Sequence, residues 1–257
     1  MTSVTLDRGA GAAPLIVGAL AAVSMFAWIA MFGSHAGHAD QLQVAFLWMA
    51  MTVGMMTPSA VPMILTYARV IPRLDKSISA GGSVVIFTAT YLALWAAFAV
   101  AAAALQSVMQ ASLLIDDHMA FTNRWLSGLF LIAAGAYQLT SLKHICISKC
   151  RSPLGFLMGT HRPGYGGAFV TGLHHGLFCI GCCWLLMALV WVGGMMNVAW
   201  MAALSVLVIV EKTAPRADWL IKFAGAALIA AGVALLFLPR SEDILILDTL
   251  RSLCRGS

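Results

Sequence analysis

The stretch from Gly172 to Met187 places one imidazole and three thiols on a single helical stripe. At about 100° per residue, His175 lies about 40° to one side of Cys179, Cys182 about 60° to that same side, and Cys183 about 40° to the other. His174 points elsewhere. Imidazole and thiolate at this spacing make a soft donor set, suited to a transition metal rather than to magnesium or calcium. Cysteine is also a small apolar residue that packs well in helices, but three of them in phase with a histidine favour ligation. A second soft stripe lies upstream, where Met49, Met56 and Met63 recur at heptad spacing and Met55 adjoins Met56. Thioethers bind copper(I) well, and methionine beside cysteine is what favours copper(I) over zinc. The bland alternative is that these methionines fill gaps.

A third group reads His144-x-Cys146-x3-Cys150-Arg151-x-Pro153. Two thiols one turn apart can capture or release a metal, or exchange disulfides. Their spacing is not that of a structural zinc finger. Weaker signals are His35, His38 and Asp40, and Asp116, Asp117 and His118, which form either a cation-attracting mouth or ordinary loop polarity. Glu211-Lys212 near a helix end is either a functional ionisable group or a snorkelling anchor. Cys254 is solitary. Nucleophile elbows, phosphate loops and zinc-protease motifs are missing from the sequence, so nothing supports a hydrolase, and an enzyme is not the expectation.

The elements that must position these groups follow from composition. Of 257 residues, 61% are hydrophobic and 10% charged, with a mean hydropathy of +0.91. A soluble domain carries about 25% charged residues, so this chain cannot cover a soluble surface. Its apolar blocks fall near 13–33, 42–67, 80–106, 122–142, 170–192, 195–212 and 219–238. Most can cross about 30 Å of hydrocarbon as helices. The expected fold is all-α: a polytopic membrane helix bundle of about seven transmembrane helices, forming one integral membrane domain over 1–257. The block from Pro14 to Gly33 is longer than a signal core and lacks a cleavage pattern, so it is expected to be retained. Gly193-Gly194 alone separates the fifth and sixth blocks and demands a tight hairpin.

Basic residues cluster on alternate loops, eleven on one side and four on the other. That asymmetry places the N-terminus in the cytoplasm and the tail from Arg240 outside, in a bacterial inner membrane. Because these residues sit at helix ends rather than in one patch, nucleic acid is not an expected partner. The second and fifth blocks run in opposite directions and carry Pro58 and Pro62, or Gly172, Gly176 and Gly181, near mid-membrane. This suggests a 3+3 inverted repeat after one added helix, with Met55 or Met56 approaching Cys179 or Cys182. Plain helix packing is the alternative use of these residues.

The combination Ala50-Met51-x3-Met55-Met56-x-Pro58-x3-Pro62, Cys146-x3-Cys150-Arg151-x-Pro153, Gly172-x3-Gly176-x2-Cys179-x-Gly181-Cys182-Cys183-Trp184-x2-Met187, Gly194-x-Met196-Asn197 and Glu211-Lys212 resembles a known group. It is similar to a bacterial family of integral membrane proteins predicted to bind metal, a domain of unknown function, over roughly residues 45–235. A weaker likeness joins Thr57-Pro58-Ser59-Ala60-Val61-Pro62-Met63 to the Thr-Pro-Cys-x-x-Pro-Met signature of thiol-transporting membrane domains used in cytochrome c maturation. Ser59 stands where that signature has its redox cysteine, which argues against electron transport. What this likeness implies is the inverted-repeat architecture.

The leading expectation is binding or translocation of a soft transition metal, copper(I) above zinc. His175, Cys179, Cys182 and Cys183 would be central ligands, Met55 and Met56 would contribute from the facing helix, and Cys146 and Cys150 would act at the cytoplasmic face. The expected partners are the lipid bilayer, the metal ion, and a metallochaperone or metalloenzyme. The alternatives are a membrane thiol-disulfide oxidoreductase or electron carrier, and an assembly subunit of a membrane metalloenzyme.

Overall fold

The computed structural model describes residues 4–33, 41–116, 118–214 and 218–237. His35, His38, Asp40, Asp117, Cys254 and the tail from Arg240 lie outside the described residues. Apolar runs with few polar partners favour helix, because a helix satisfies its backbone hydrogen bonds within the segment. The elements are α1 (Val4–Gly33), α2 (Gln41–Leu74), α3 (Ala80–Ala111), α4 (Arg124–Gln138), α5 (Ser141–Arg151), α6 (Pro153–Thr160), α7 (Gly164–Ala188), α8 (Val190–Gly193), α9 (Val198–Thr213) and α10 (Asp218–Phe237). The fold is all-α, and the described residues contain no strand beyond one isolated bridge between Ile115 and Phe121.

Among the described residues, five helices are long and apolar enough to cross a membrane: α1, α2, α3, α7 continuing through α8, and α10. A sixth is added if α4 and α5, bent by 61°, form one span. The sequence suggested about seven, and two blocks account for the difference. The block at 195–212 begins its helix only after the Asn197 cap, whose Oδ1 accepts from the Trp200 amide at 3.0 Å. The 16 residues of α9 reach about 24 Å at 1.5 Å each, short of a bilayer core. The block at 122–142 breaks at Leu139-Thr140. There Thr140 donates its hydroxyl to the Tyr137 carbonyl at 2.7 Å and accepts from the Lys143 amide at 3.3 Å, ending one helix and capping the next.

The chain gathers into two compact units, residues 1–105 with 145–182, and residues 106–144 with 183–257. In the first unit α2 packs on α1 and α6. The prolines expected to interrupt α2 leave it continuous. Pro58 has no N–H, so the Gly54 carbonyl one turn earlier loses its helical donor. Ser24 of α1 supplies a replacement, its hydroxyl donating to that carbonyl at 2.8 Å. Helix α7 is also continuous through its glycines. A Cβ at Gly172 would stand 2.7 Å from the Phe87 carbonyl oxygen, so this glycine sets how closely α7 approaches α3.

In the second unit α4 packs along α10. Two glycine pairs interlock: a Cβ at Gly135 would meet the Gly225 carbonyl oxygen at 2.5 Å, and one at Gly232 would meet the Gly128 carbonyl oxygen at 2.6 Å. These are close approaches by backbone, which small residues alone permit. The expected hairpin is present, with Gly194 at φ +85° between α8 and α9. The pattern of basic residues places Lys143 in the loop that follows the 122–142 block. Instead it is buried on α5 and ion-paired with Glu211 of α9 at 2.6 Å.

Two stability predictions follow from these contacts. Ser24→Ala leaves a buried carbonyl without its donor and should cost about 1–3 kcal/mol. Gly135→Val drives a side chain into backbone that cannot yield and should cost about 3 kcal/mol or more. Thermal unfolding of detergent-purified variants checks both, and an unchanged midpoint for Gly135→Val would contradict the interlock.

Candidate metal centre

The thiols of the first unit converge. The predicted loop from Lys143 to Gly164 is largely helix, formed by α5 and α6. Cys146 and Cys150, expected in that loop at the cytoplasmic face, are instead buried. The Cys150 thiol neighbours both Cys179 and Cys182 on α7. The Cys182 thiol donates to the Cys179 carbonyl at 3.1 Å, which fixes its direction one turn back along the helix. Cys146 packs over Gly181, where a Cβ would stand 2.9 Å from its sulfur. Gly181 therefore lets a thiol-bearing helix approach α7 between its two cysteines. No disulfide joins the five described cysteines.

Tyr91 of α3 ties the cluster to the methionine helix. Its hydroxyl lies 3.2 Å from the Cys179 sulfur and donates to the Met56 carbonyl at 3.1 Å. The middles of α2 and α7 are thus joined through one phenol, with Met56 engaged by its backbone. Met55 and Met56 are both fully buried on α2. His175 occupies an aromatic box one turn from Cys179: it stacks on Tyr91 at 5.3 Å and on Phe87 at 5.8 Å, and meets the edge of Phe156 at 5.8 Å. The imidazole is held against rings, and α3 and α6 position it as firmly as its own helix does. Cys183 belongs to the second unit and is buried there.

The donor set of Cys146, Cys150, Cys179 and Cys182 is all sulfur, which fits a soft monovalent ion. Among the described residues, however, no three or more His, Cys, Asp or Glu side chains are spaced as a closed metal site. The arrangement is an open cluster of thiols.

The model of one protein family, PpoB2, described as a copper chaperone, matches residues 45–235. The chain belongs to this copper chaperone family. No curated protein and no solved structure is significantly similar to the chain. The matched stretch contains every candidate ligand named above, and membership agrees with the expectation of a copper-related bacterial family.

Three contributors escaped sequence reasoning. Tyr91 and Phe156 look like ordinary apolar filling, although a phenol in the middle of an apolar block always needs a partner for its hydroxyl. The third is Asp75, just beyond α2. Its Oδ2 accepts from the Gly164 amide at the start of α7 at 2.6 Å, and its Oδ1 accepts from the Ser77 amide at 2.9 Å. The Asp75-x-Ser77 turn was the available signal. The Gly164 amide, followed by the Ser77 hydroxyl and amide, holds the Asp75 carboxyl below the usual carboxylate range.

Because the folded-state pKa is depressed, the Asp75 contribution is present above the unfolded value of about 3.9. It is lost as pH falls through the lower folded value. Asp75→Asn should therefore melt earlier than wild type at neutral pH, and the gap should close as pH drops below that window. A gap independent of pH would contradict the carboxylate's role. At the cluster itself, Gly181→Val should push Cys146 away and cost about 1–3 kcal/mol, measured by the same melts.

Proposed function

We propose that this protein carries copper(I) within the bacterial inner membrane, receiving it on Cys150, Cys179 and Cys182 with Cys146 alongside, and passing it to a protein acceptor. The observation that carries this reading is the meeting of the Cys150 thiol with Cys179 and Cys182 in a member of a copper chaperone family. Exposed apolar faces support the membrane setting, since α1, α3 and α10 present Leu15, Phe26, Val85, Val108 and Phe223 outward.

Charge decides how the ion is held. Coordination replaces a thiol proton by the metal. One thiolate neutralises one copper(I), while a neighbouring thiol can remain a neutral donor. Loading then exchanges one monovalent cation for one proton, and the apolar surroundings gain no net charge. Too few donors close around the ion to trap it, which suits a carrier that must release its cargo. His175, boxed by rings one turn from Cys179, would add no charge. A protein acceptor with its own thiols, such as a metallochaperone or a metalloenzyme, completes the transfer.

Protein purified under reducing conditions and loaded with copper(I) should hold it in a fixed stoichiometry. The Cys150→Ser, Cys179→Ser, Cys182→Ser triple variant should lose most of it, and Cys254→Ser should change nothing. Apparent affinity should fall by at least about tenfold for each unit of decreasing pH, as release of one thiol proton requires. Wild-type copper binding in the triple variant would refute this site. Thiols that cycle through a disulfide without retaining copper would favour the oxidoreductase reading.

A further inference from the structure

The second unit holds a polar centre with no soft donor. Lys143 of α5 and Glu211 of α9 pair at 2.6 Å between Nζ and Oε2. Gln138, the last residue of α4, donates from Nε2 to the other carboxylate oxygen at 2.7 Å. The relative exposure of Lys143 is 0%, of Glu211 1% and of Gln138 1%. The Gln138 amide oxygen is buried too, and no hydrogen bond reaches it.

Stability does not explain this centre. Desolvating both charges offsets much of their attraction, and an apolar replacement is often as stable. Ionisable groups inside an apolar helix assembly are by default functional. The donor chemistry narrows the ligand: one carboxylate and one amide oxygen are hard, and they are too few for a calcium ion, which takes six to eight oxygens. A proton needs only one. The unused Gln138 oxygen then has a purpose, because the amide matches both states of its neighbour. Its N–H donates to the Glu211 carboxylate, and after half a turn its oxygen accepts from a Glu211 carboxylic acid.

We propose that Glu211 is a proton-binding site in which a proton displaces the Lys143 ammonium from the carboxylate, with Gln138 holding the side chain in either state. The step balances simply: one proton bonds to a Glu211 oxygen, and the Lys143 ion pair breaks. Lys143 then needs a new partner, which loosens the start of α5. That helix also carries Cys146 and Cys150, three and seven residues on. Protonation of Glu211 thereby favours copper release, and this part rests on the thiol cluster being the copper site.

The charged surroundings leave Glu211 as the responding group. Helix α8 has no ionisable residue, and Asp218 and Lys222 of α10 are exposed. On α4 the charged residue is Arg124, at the far end of the helix. Helix α5 adds His144, half-buried, and Lys149 and Arg151 towards its far end. Lys212, next to Glu211, is buried and opposes added positive charge.

The test uses the full chain in lipid nanodiscs. Infrared difference spectra between alkaline and acidic buffer, with no copper present, should show a buried carboxylic acid band that Glu211→Gln abolishes. Because Glu211→Gln leaves Lys143 unpaired, the Lys143→Met, Glu211→Gln double variant serves as the folded neutral control. In wild type, copper affinity should fall about hundredfold per pH unit across the range where the band grows, one proton at the thiols and one at Glu211. The double variant should keep only the tenfold slope. A wild-type spectrum without the band, or a double variant with the wild-type slope, would overturn the proposal. A protein that shows the band but binds no copper would refute the copper site and the link between them, while leaving the proton site standing.

Discussion

Where α5 crosses α7, the Cys146 sulfur lies so near Gly181 that one methyl group there would overlap it. The thiol cluster depends on that approach. A larger residue at position 181 would displace the Cys146 sulfur. The Thr140 cap and a 61° bend separate α5 from α4. On the far side of α7, Gly172 meets the Phe87 carbonyl and Gly176 meets Leu94 of α3. Small residues at intervals along α7 thus let it be gripped from two directions, so its cysteines are fixed by backbone packing rather than by bonds between sulfurs.

Around that contact, several buried polar groups find individual partners. The carbonyl freed by Pro58 is met by Ser24, and the Tyr91 hydroxyl is shared between the Met56 carbonyl and the Cys179 sulfur. The start of α7 is held by Asp75. An apolar interior penalises each unmet group, so these bonds make the scaffold stiff. The thiols themselves are less constrained, since they are weak donors and weak acceptors. A stiff frame around weakly committed thiols suits the reversible capture proposed for them. His175 is enclosed by rings: Phe87 and Tyr91 stack on the imidazole, and Phe156 meets it edge-on.

Helical periodicity and composition made the all-α fold and the long apolar helices legible, because both depend on local pattern alone. The stripe of His175, Cys179 and Cys182 was legible for the same reason. What the sequence concealed was the break at Leu139-Thr140. It contains neither proline nor glycine, so 122–142 read as one span and the residues after it as a loop. Cys146 and Cys150 consequently looked like surface thiols, and Lys143 like a topological anchor, although burial and tertiary contact place all three otherwise. Pro58 and Pro62 misled in the opposite direction, suggesting an interruption where α2 is continuous and Ser24 meets the carbonyl freed by Pro58. The glycine pairs of α4 and α10 were visible as residues but not as partners, since their meaning lies in an antiparallel contact.

X-ray absorption at the copper edge of the loaded protein tests the central claim most directly. The account requires a first shell of two or three sulfur atoms, with one fewer sulfur and weaker retention in Cys150→Ser. A first shell dominated by nitrogen or oxygen, or a sulfur shell that survives Cys150→Ser together with Cys179→Ser unchanged, would contradict it.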